Sequence, residues 1–420
     1  MSGENLVSDR RVGKHAWVGH GFFFVLGAVA ALACKALFSP SPVKTDAPDM
    51  IRTNWADSGA QQPHIGSKGP WGVLEWENIP LEPDEVDVEG MHLSIPTRWI
   101  FTNYSPSRLA GLFNSCELTD AQKDFLLDTN HWGALTNGYA VSPPDALILS
   151  LGQTARQSIY PVLARNPANG WQYFPFRFSL NGFDERFSGS GLPSRMIELV
   201  RQQTYTNNGA ICFSTLPAMS GLFATNDLAS LLVVLYRTPA LIVRLRVNRD
   251  SNIKELVQYW GKGGREKTVR PLLESLVRSP GQQNVNISYL LPPFARLRLY
   301  AYPDPGMDPS AAQQDCFYTA LNFFNTQPDQ KYLDLGNARK ALLNDYYPVQ
   351  GPMTFGDLIV LMDSANNGFH ACVYVADDIV FSKNGSHSLQ PWILMKMPEM
   401  LSEYSYAGEF RTVHLRKKRM

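Results

Sequence analysis

Two side chains in this sequence have the types and the spacing for nucleophilic catalysis. Cys316 stands in Gln314-Asp315-Cys316-Phe317-Tyr318-Thr319-Ala320-Leu321-Asn322-Phe323-Phe324, and His370 follows 54 residues later in Phe369-His370-Ala371-Cys372-Val373-Tyr374. A cysteine thiolate attacks carbonyl carbon, and an imidazole takes and returns the proton. The thiolate is favoured at a helix amino end, where the backbone N–H groups present partial positive charge.

The elements around the pair follow from periodicity. Phe317, Ala320, Leu321 and Phe324 recur at i, i+3, i+4 and i+7, which predicts a helix with one buried face. Its start is open between two readings. Cys316 lies near the amino end if the helix begins there, and in the second turn if the capping box Ser310-Ala311-Ala312-Gln313 opens it. Downstream, Gly356-Asp357-Leu358 feeds an apolar run, Asn366-Asn367-Gly368 is a tight hairpin turn, and residues 370–375 alternate as a strand. Asp377-Asp378 turns into Ile379 to Gly385, and Phe410 to Leu415 offers one more strand. A cysteine-bearing helix packed on an antiparallel meander that carries a histidine is the expected result. Cys372 shares a strand face with His370 by parity and reads as packing.

The order Asp-Cys, Gly-Asp-Leu, then His with Val-Tyr three and four positions later resembles the NlpC-type cell-wall peptidases of the papain-like superfamily, over about residues 310–390. The resemblance implies an α+β, papain-like carboxy-terminal domain in which Cys316 is the nucleophile and His370 the general base. It also implies a third polar residue orienting the imidazole. The family's usual spacing lands on Ser382; strand parity puts Val380, Ser382 and Asn384 on one face. An amide carbonyl is the better acceptor, so Asn384 is the expected third member, with Ser382 and His387 behind it. Where the family has Ser-Gly after Asp-Cys, this chain has Phe317-Tyr318. The implied reaction is acyl transfer on a peptidoglycan stem peptide, with no cofactor and no metal. Two other readings stand beside it: a catalytically inactive binding or scaffold protein of the envelope, and a thiol acyltransferase on a related fold.

The rest of the chain divides around this domain. Residues 1–15 are a polar tail with Arg10, Arg11 and Lys14, and 16–37 are almost wholly apolar. About 18–20 such residues cross a bilayer as a helix, and basic residues before them hold the amino end in the cytoplasm. The expectation is a single-pass anchor in a bacterial inner membrane with the body exported. A cleaved signal segment ending at Ala31-Leu32-Ala33 competes with it, and a lipid-modified Cys34 is a third reading. Residues 38–70, rich in proline, glycine and serine, read as linker, and 71–289 as a mostly helical α+β module of unassigned role. Prolines at 292–293 and 303–305 place the start of the last domain near 290, giving 290–420. In the module, Arg244 and Arg246 read as the wet face of an edge strand, and Asn226-Asp227 as the cap of a helix through Tyr236.

Composition excludes several classes. Lys and Arg balance Asp and Glu at 38 each, so no basic field points to nucleic acid. Five cysteines, an odd number without a C-x-x-C pair, are no disulfide scaffold and leave at least one free thiol. Oligomeric state is not readable from the sequence.

Overall fold

The structure is a computed structural model that describes residues 63–84, 88, 97–178, 182–303, 314–404 and 409–418. The expected anchor and most of the expected linker lie outside these residues. None of the helices among the described residues is long and apolar enough to cross a membrane.

The protein is mixed α+β. A long antiparallel ribbon joins β1 (Val73–Leu81) to β2 (Thr238–Val247), in register from Val73↔Arg246 to Leu81↔Thr238. The short strands His64–Ile65 and Gln283–Asn286 flank it. Residues 64–65, assigned to linker by composition, are thus sheet. β2 is an inner strand, and its arginines are not simply solvated. Arg244 Nη2 reaches Glu77 Oε1 at 2.6 Å, and Arg246 Nη2 reaches Gln282 Oε1 at 2.6 Å. Between β1 and β2 in sequence lie two small three-stranded sheets, built on Trp99–Thr102, Trp132–Leu135 and Gly138–Val141, and on Phe176–Phe178, Tyr205–Asn207 and Ala210–Phe213.

Local signals in this region mostly act as written. Thr119 and Gln122 form the reciprocal capping box of the helix Asp120–Leu127. The helix ending at Tyr236 differs. It begins at Thr225 after Ala224, so Asn226 and Asp227 lie in its first turn instead of capping it. An aspartate there still meets the positive end of the helix.

The second large sheet has six strands: β3 (Tyr346–Pro348), β4 (Leu358–Met362), β5 (Gly368–Ala376), β6 (Ile379–Lys383), β7 (Trp392–Lys396) and β8 (Arg411–Lys417). Its order is β3-β8-β4-β5-β6-β7, antiparallel throughout, so the final strand inserts between β3 and the meander. Asn366 and Asp377 take positive φ values of 63° and 55° in the two hairpins, as the Asn-Asn-Gly and Asp-Asp turns require.

No domain break falls at 290. One apolar core runs from Leu74 and Val243 through Val257, Trp260 and Leu273 to Phe317, Val373, Phe381 and Leu394. Tyr259 Oη donates to the Val375 carbonyl at 2.8 Å and Tyr300 Oη to the Leu241 carbonyl at 2.6 Å, tying the two large sheets together. The prolines at 292–293 therefore start a helix, Pro293–Arg298, inside a continuing core instead of marking a linker.

The Gly-Asp-Leu motif is a structural hinge of that core. Gly356 has φ +88°, and a Cβ there would sit 2.2 Å from the Phe324 ring. Asp357 is fully buried; Arg416 Nε donates to its Oδ1 at 2.8 Å and Nη2 to its Oδ2 at 2.7 Å, while the Thr354 N–H reaches Oδ2 at 2.8 Å. This fork–fork pair fastens β8 to the start of β4. Replacing Asp357 by alanine strands Arg416, and the expected loss is about 3 kcal/mol, read as a lowered denaturant midpoint. A double variant, Asp357→Leu with Arg416→Met, recovers much of it if the penalty is the stranded charge. No recovery would assign the loss to packing.

Candidate functional site

The cysteine helix, α1 (Cys316–Asn322), starts where the second-turn reading did not put it. Asp315 is extended (φ −91°, ψ −170°), and its Oδ1 accepts the Tyr318 N–H at 2.8 Å, which makes it the N-cap and Cys316 the first helical residue. All seven residues of α1 are buried, not one face only. Phe324, next in the expected stripe, wedges against Gly263 and Gly356. On the other side Trp392 Nε1 donates to Thr319 Oγ1 at 2.9 Å.

The helix start does not yield a thiolate. Cys316 is 6% exposed, and burial pushes its thiol far above the ordinary range; the Asp315 carboxylate pushes the same way. The Ala371 and Phe317 N–H groups and the Lys383 ammonium oppose the shift without reversing it. The helix-end field contributes about 0.3–1 kcal/mol when exposed and about 2 at best. Dehydrating a thiolate costs more.

His370 lies in β5, and strand parity separates it from the thiol. Ala371, Val373 and Val375 join the core that contains Cys316. Cys372 and Tyr374 join a different cluster with Ile359, Leu361, Val380, Met395 and Tyr404, and His370 has their parity. Its ring stacks on Tyr404 with centroids 4.2 Å apart. No hydrogen bond joins it to Cys316, and its Nδ1 has no partner. The two members of the sequence-expected pair are both buried and share no hydrogen bond; the thiol meets the Ala371 N–H, next to His370 in β5, while the ring lies against Tyr404. Cys372 is buried with the histidine's cluster, where desolvation raises its thiol.

The third role falls to Ser382 in the first instance. Its Oγ lies 3.3 Å from His370 Nε2 and donates to Asn384 Oδ1 at 2.6 Å. Asn384 Nδ2 donates to Glu403 Oε2 at 2.5 Å. Asn384, expected on the ring, is thus one step removed. His387 is elsewhere, its ring stacked on Tyr236 and its Nδ1 accepting the Leu389 N–H at 3.1 Å. With Glu403 ionised, the amide nitrogen faces it, Oδ1 takes the Ser382 hydroxyl proton and Nε2 of His370 carries the hydrogen, leaving Nδ1 as the lone pair. Burial pushes the Glu403 carboxyl up to about 7, so this polarity belongs to the ionised form of the relay.

Sequence reasoning missed Lys383. It ends β6 fully buried, with Nζ donating to the carbonyls of Gly385 at 2.8 Å and His387 at 3.0 Å and lying over the Trp392 ring. Burial lowers its pKa to about 7 against the pull of Asp315 and Cys316. The charged neighbours that Cys316 feels are therefore Asp315 and Lys383, not an imidazole. The available signal was parity alone: Lys383 shares the face of Phe381, one residue past the polar Ser382.

No family model, curated protein or solved structure matches this chain. The likeness to NlpC-type peptidases accordingly rests on the motifs between about 310 and 390.

Burial lowers the His370 pKa from 6.5 to about 3. The unfolded chain binds a proton there that the folded one refuses, so stability falls as pH drops through about 6.5 toward about 3. The expected slope is about 1.4 kcal/mol per pH unit in that window. Denaturant titrations of the native chain and of His370→Gln between those limits test it, and the variant should show the shallower acid limb. Parallel limbs would mean that the ring is already protonated in the folded protein.

Proposed function

We propose that this chain is a non-catalytic binding or scaffold protein of the cell envelope, carried on the exported side of a bacterial inner membrane by its amino-terminal segment. Its carboxy-terminal half uses a papain-like arrangement as a rigid frame. One observation carries this reading: Cys316 and His370 are both buried and no hydrogen bond joins them, the thiol packing with Ala371 and Val373 and the ring stacking on Tyr404. Acyl transfer needs the thiol, the base and the substrate carbonyl within hydrogen-bond reach of one another. A protonated thiol packed among Phe317, Ala371 and Val373 offers no such approach. The Phe317-Tyr318 pair, standing where the peptidases have small residues, agrees: both side chains are large and buried.

A second reading is supported by the Ser382–His370 contact. An imidazole held through Nε2 with a bare Nδ1 has the polarity of a general base awaiting a thiol. On this reading the chain is an exported cysteine hydrolase acting on peptidoglycan stem peptides, or a thiol acyltransferase, whose site opens when substrate binds.

A thiol-reactive probe separates the two. Cys116, Cys212, Cys316 and Cys372 are all free and buried. On the scaffold reading the native full chain and Cys316→Ala label equally, and denaturant exposes the additional thiols of the native chain. Neither protein then releases products from cell-wall peptides above the blank. Labelling that depends on Cys316 under native conditions, accompanied by cleavage lost in Cys316→Ala and His370→Ala, would establish the hydrolase instead.

A further inference from the structure

The other half of the chain contains a buried charge with no counter-charge. The helix Gln153–Leu163 carries Arg156 and Tyr160 one turn apart, so the two side chains stack on one face. Both are buried, at 1% and 0% exposure. Arg156 Nη1 donates to the Gln202 carbonyl at 2.8 Å, and Nη2 to Gln203 Oε1 at 2.6 Å and the Leu149 carbonyl at 3.5 Å. All three acceptors are neutral. Among the described residues no carboxylate pairs with this guanidinium, and its Nε–H makes no hydrogen bond.

Four hydroxyls nearby share that condition. Tyr160, Tyr205, Ser214 and Thr215 are each at most 2% exposed; Tyr160 approaches Arg156 and Thr215, and Tyr205 approaches Ser214, but none of the four hydroxyls closes a well-formed hydrogen bond. They form one group: the Tyr160 and Tyr205 rings meet edge-on at 5.1 Å, Arg156 and Thr215 lie beside Tyr160, and Ser214 lies beside Tyr205. Trp99, edge-on to Tyr160 at 6.1 Å, adds an indole N–H that is also unpaired. The guanidinium and the indole can only donate. Hydroxyls turned toward one another can satisfy themselves but cannot cancel a positive charge. Unpaired buried charge is among the costliest features a core can hold, so the composition of this cluster calls for an acceptor carrying negative charge.

We propose that Arg156, Tyr160, Tyr205, Ser214 and Thr215 form a buried binding site for a small monatomic anion, chloride in the cell. One guanidinium N–H and four hydroxyls are the donor set such an ion takes. The near-complete burial of all five favours a monatomic ion over a carboxylate or phosphate, which need more room. Its role is to complete the core that joins the two small sheets, so occupancy is linked to folding.

The experiment is the melting temperature of the full chain at constant ionic strength in chloride, bromide and gluconate. It is paired with crystals grown in bromide and measured at the bromine absorption edge. The expected result is a saturable rise in melting temperature with either halide, and one anomalous peak within hydrogen-bond range of Arg156 Nε and the hydroxyls. Tyr160→Phe and Thr215→Val should each raise the half-saturating halide concentration about tenfold. Arg156→Met should abolish the dependence, and if it fails to fold the hydroxyl variants carry the test. Equal melting in gluconate and chloride would overturn the proposal. So would density in the cluster without an anomalous signal, or a halide effect that both hydroxyl variants leave unchanged.

Discussion

The closed apolar layer between the helix Cys316–Asn322 and the six-stranded sheet sets the charge state of everything near it. Phe317, Leu321 and Phe323 share one buried apolar cluster with Val373, Phe381 and Leu394. Water is excluded, so each titratable group there is pushed toward its neutral form. The thiol of Cys316 keeps its proton and the ammonium of Lys383 is drawn down to about 7, while burial against Tyr404 has the same effect on the imidazole of His370, which refuses a proton. A helix-end field of one or two kcal/mol cannot compete with that dehydration.

That layer is not the property of one half of the chain. β2, inner strand of the amino-terminal sheet, and the helices Ile253–Trp260 and Glu266–Arg278 contribute to the same core as β5 and β6. The Tyr259 hydroxyl, from the helix Ile253–Trp260, ends on a backbone carbonyl of β5, and the Tyr300 hydroxyl, just after the helix Pro293–Arg298, ends on one of β2. Such a core resists the parting of halves that opens a cleft in a two-lobed enzyme. This argues for a frame more than for a gated site.

The polar relay from Glu403 through Asn384 and Ser382 to His370 is the one feature that keeps a catalytic form. It holds the ring by Nε2 and leaves Nδ1 as a lone pair. An oriented base is only half of a pair, and the other half contributes its sulfur to the cluster across β5.

What the sequence determined by itself was local and periodic. The capping box at Thr119, the alternation of Leu241 to Val247, the Asn-Asn-Gly and Asp-Asp turns and the meander from Leu358 to Lys383 follow from rules that act within a few residues. The motifs around Cys316, Gly356 and His370 were equally legible as motifs. Their roles were not, because a strand's period of two fixes which residues share a face but not which face meets a given helix. That choice belongs to packing. Here Ala371 and Val373 turn to the helix and His370 turns away, while Asp357 spends its carboxylate on Arg416, 59 residues along the chain. The buried ammonium of Lys383, the shared core across residue 290 and the uncompensated guanidinium of Arg156 are likewise products of distant segments meeting. Only the tertiary structure brings those segments close enough for desolvation to decide their chemistry.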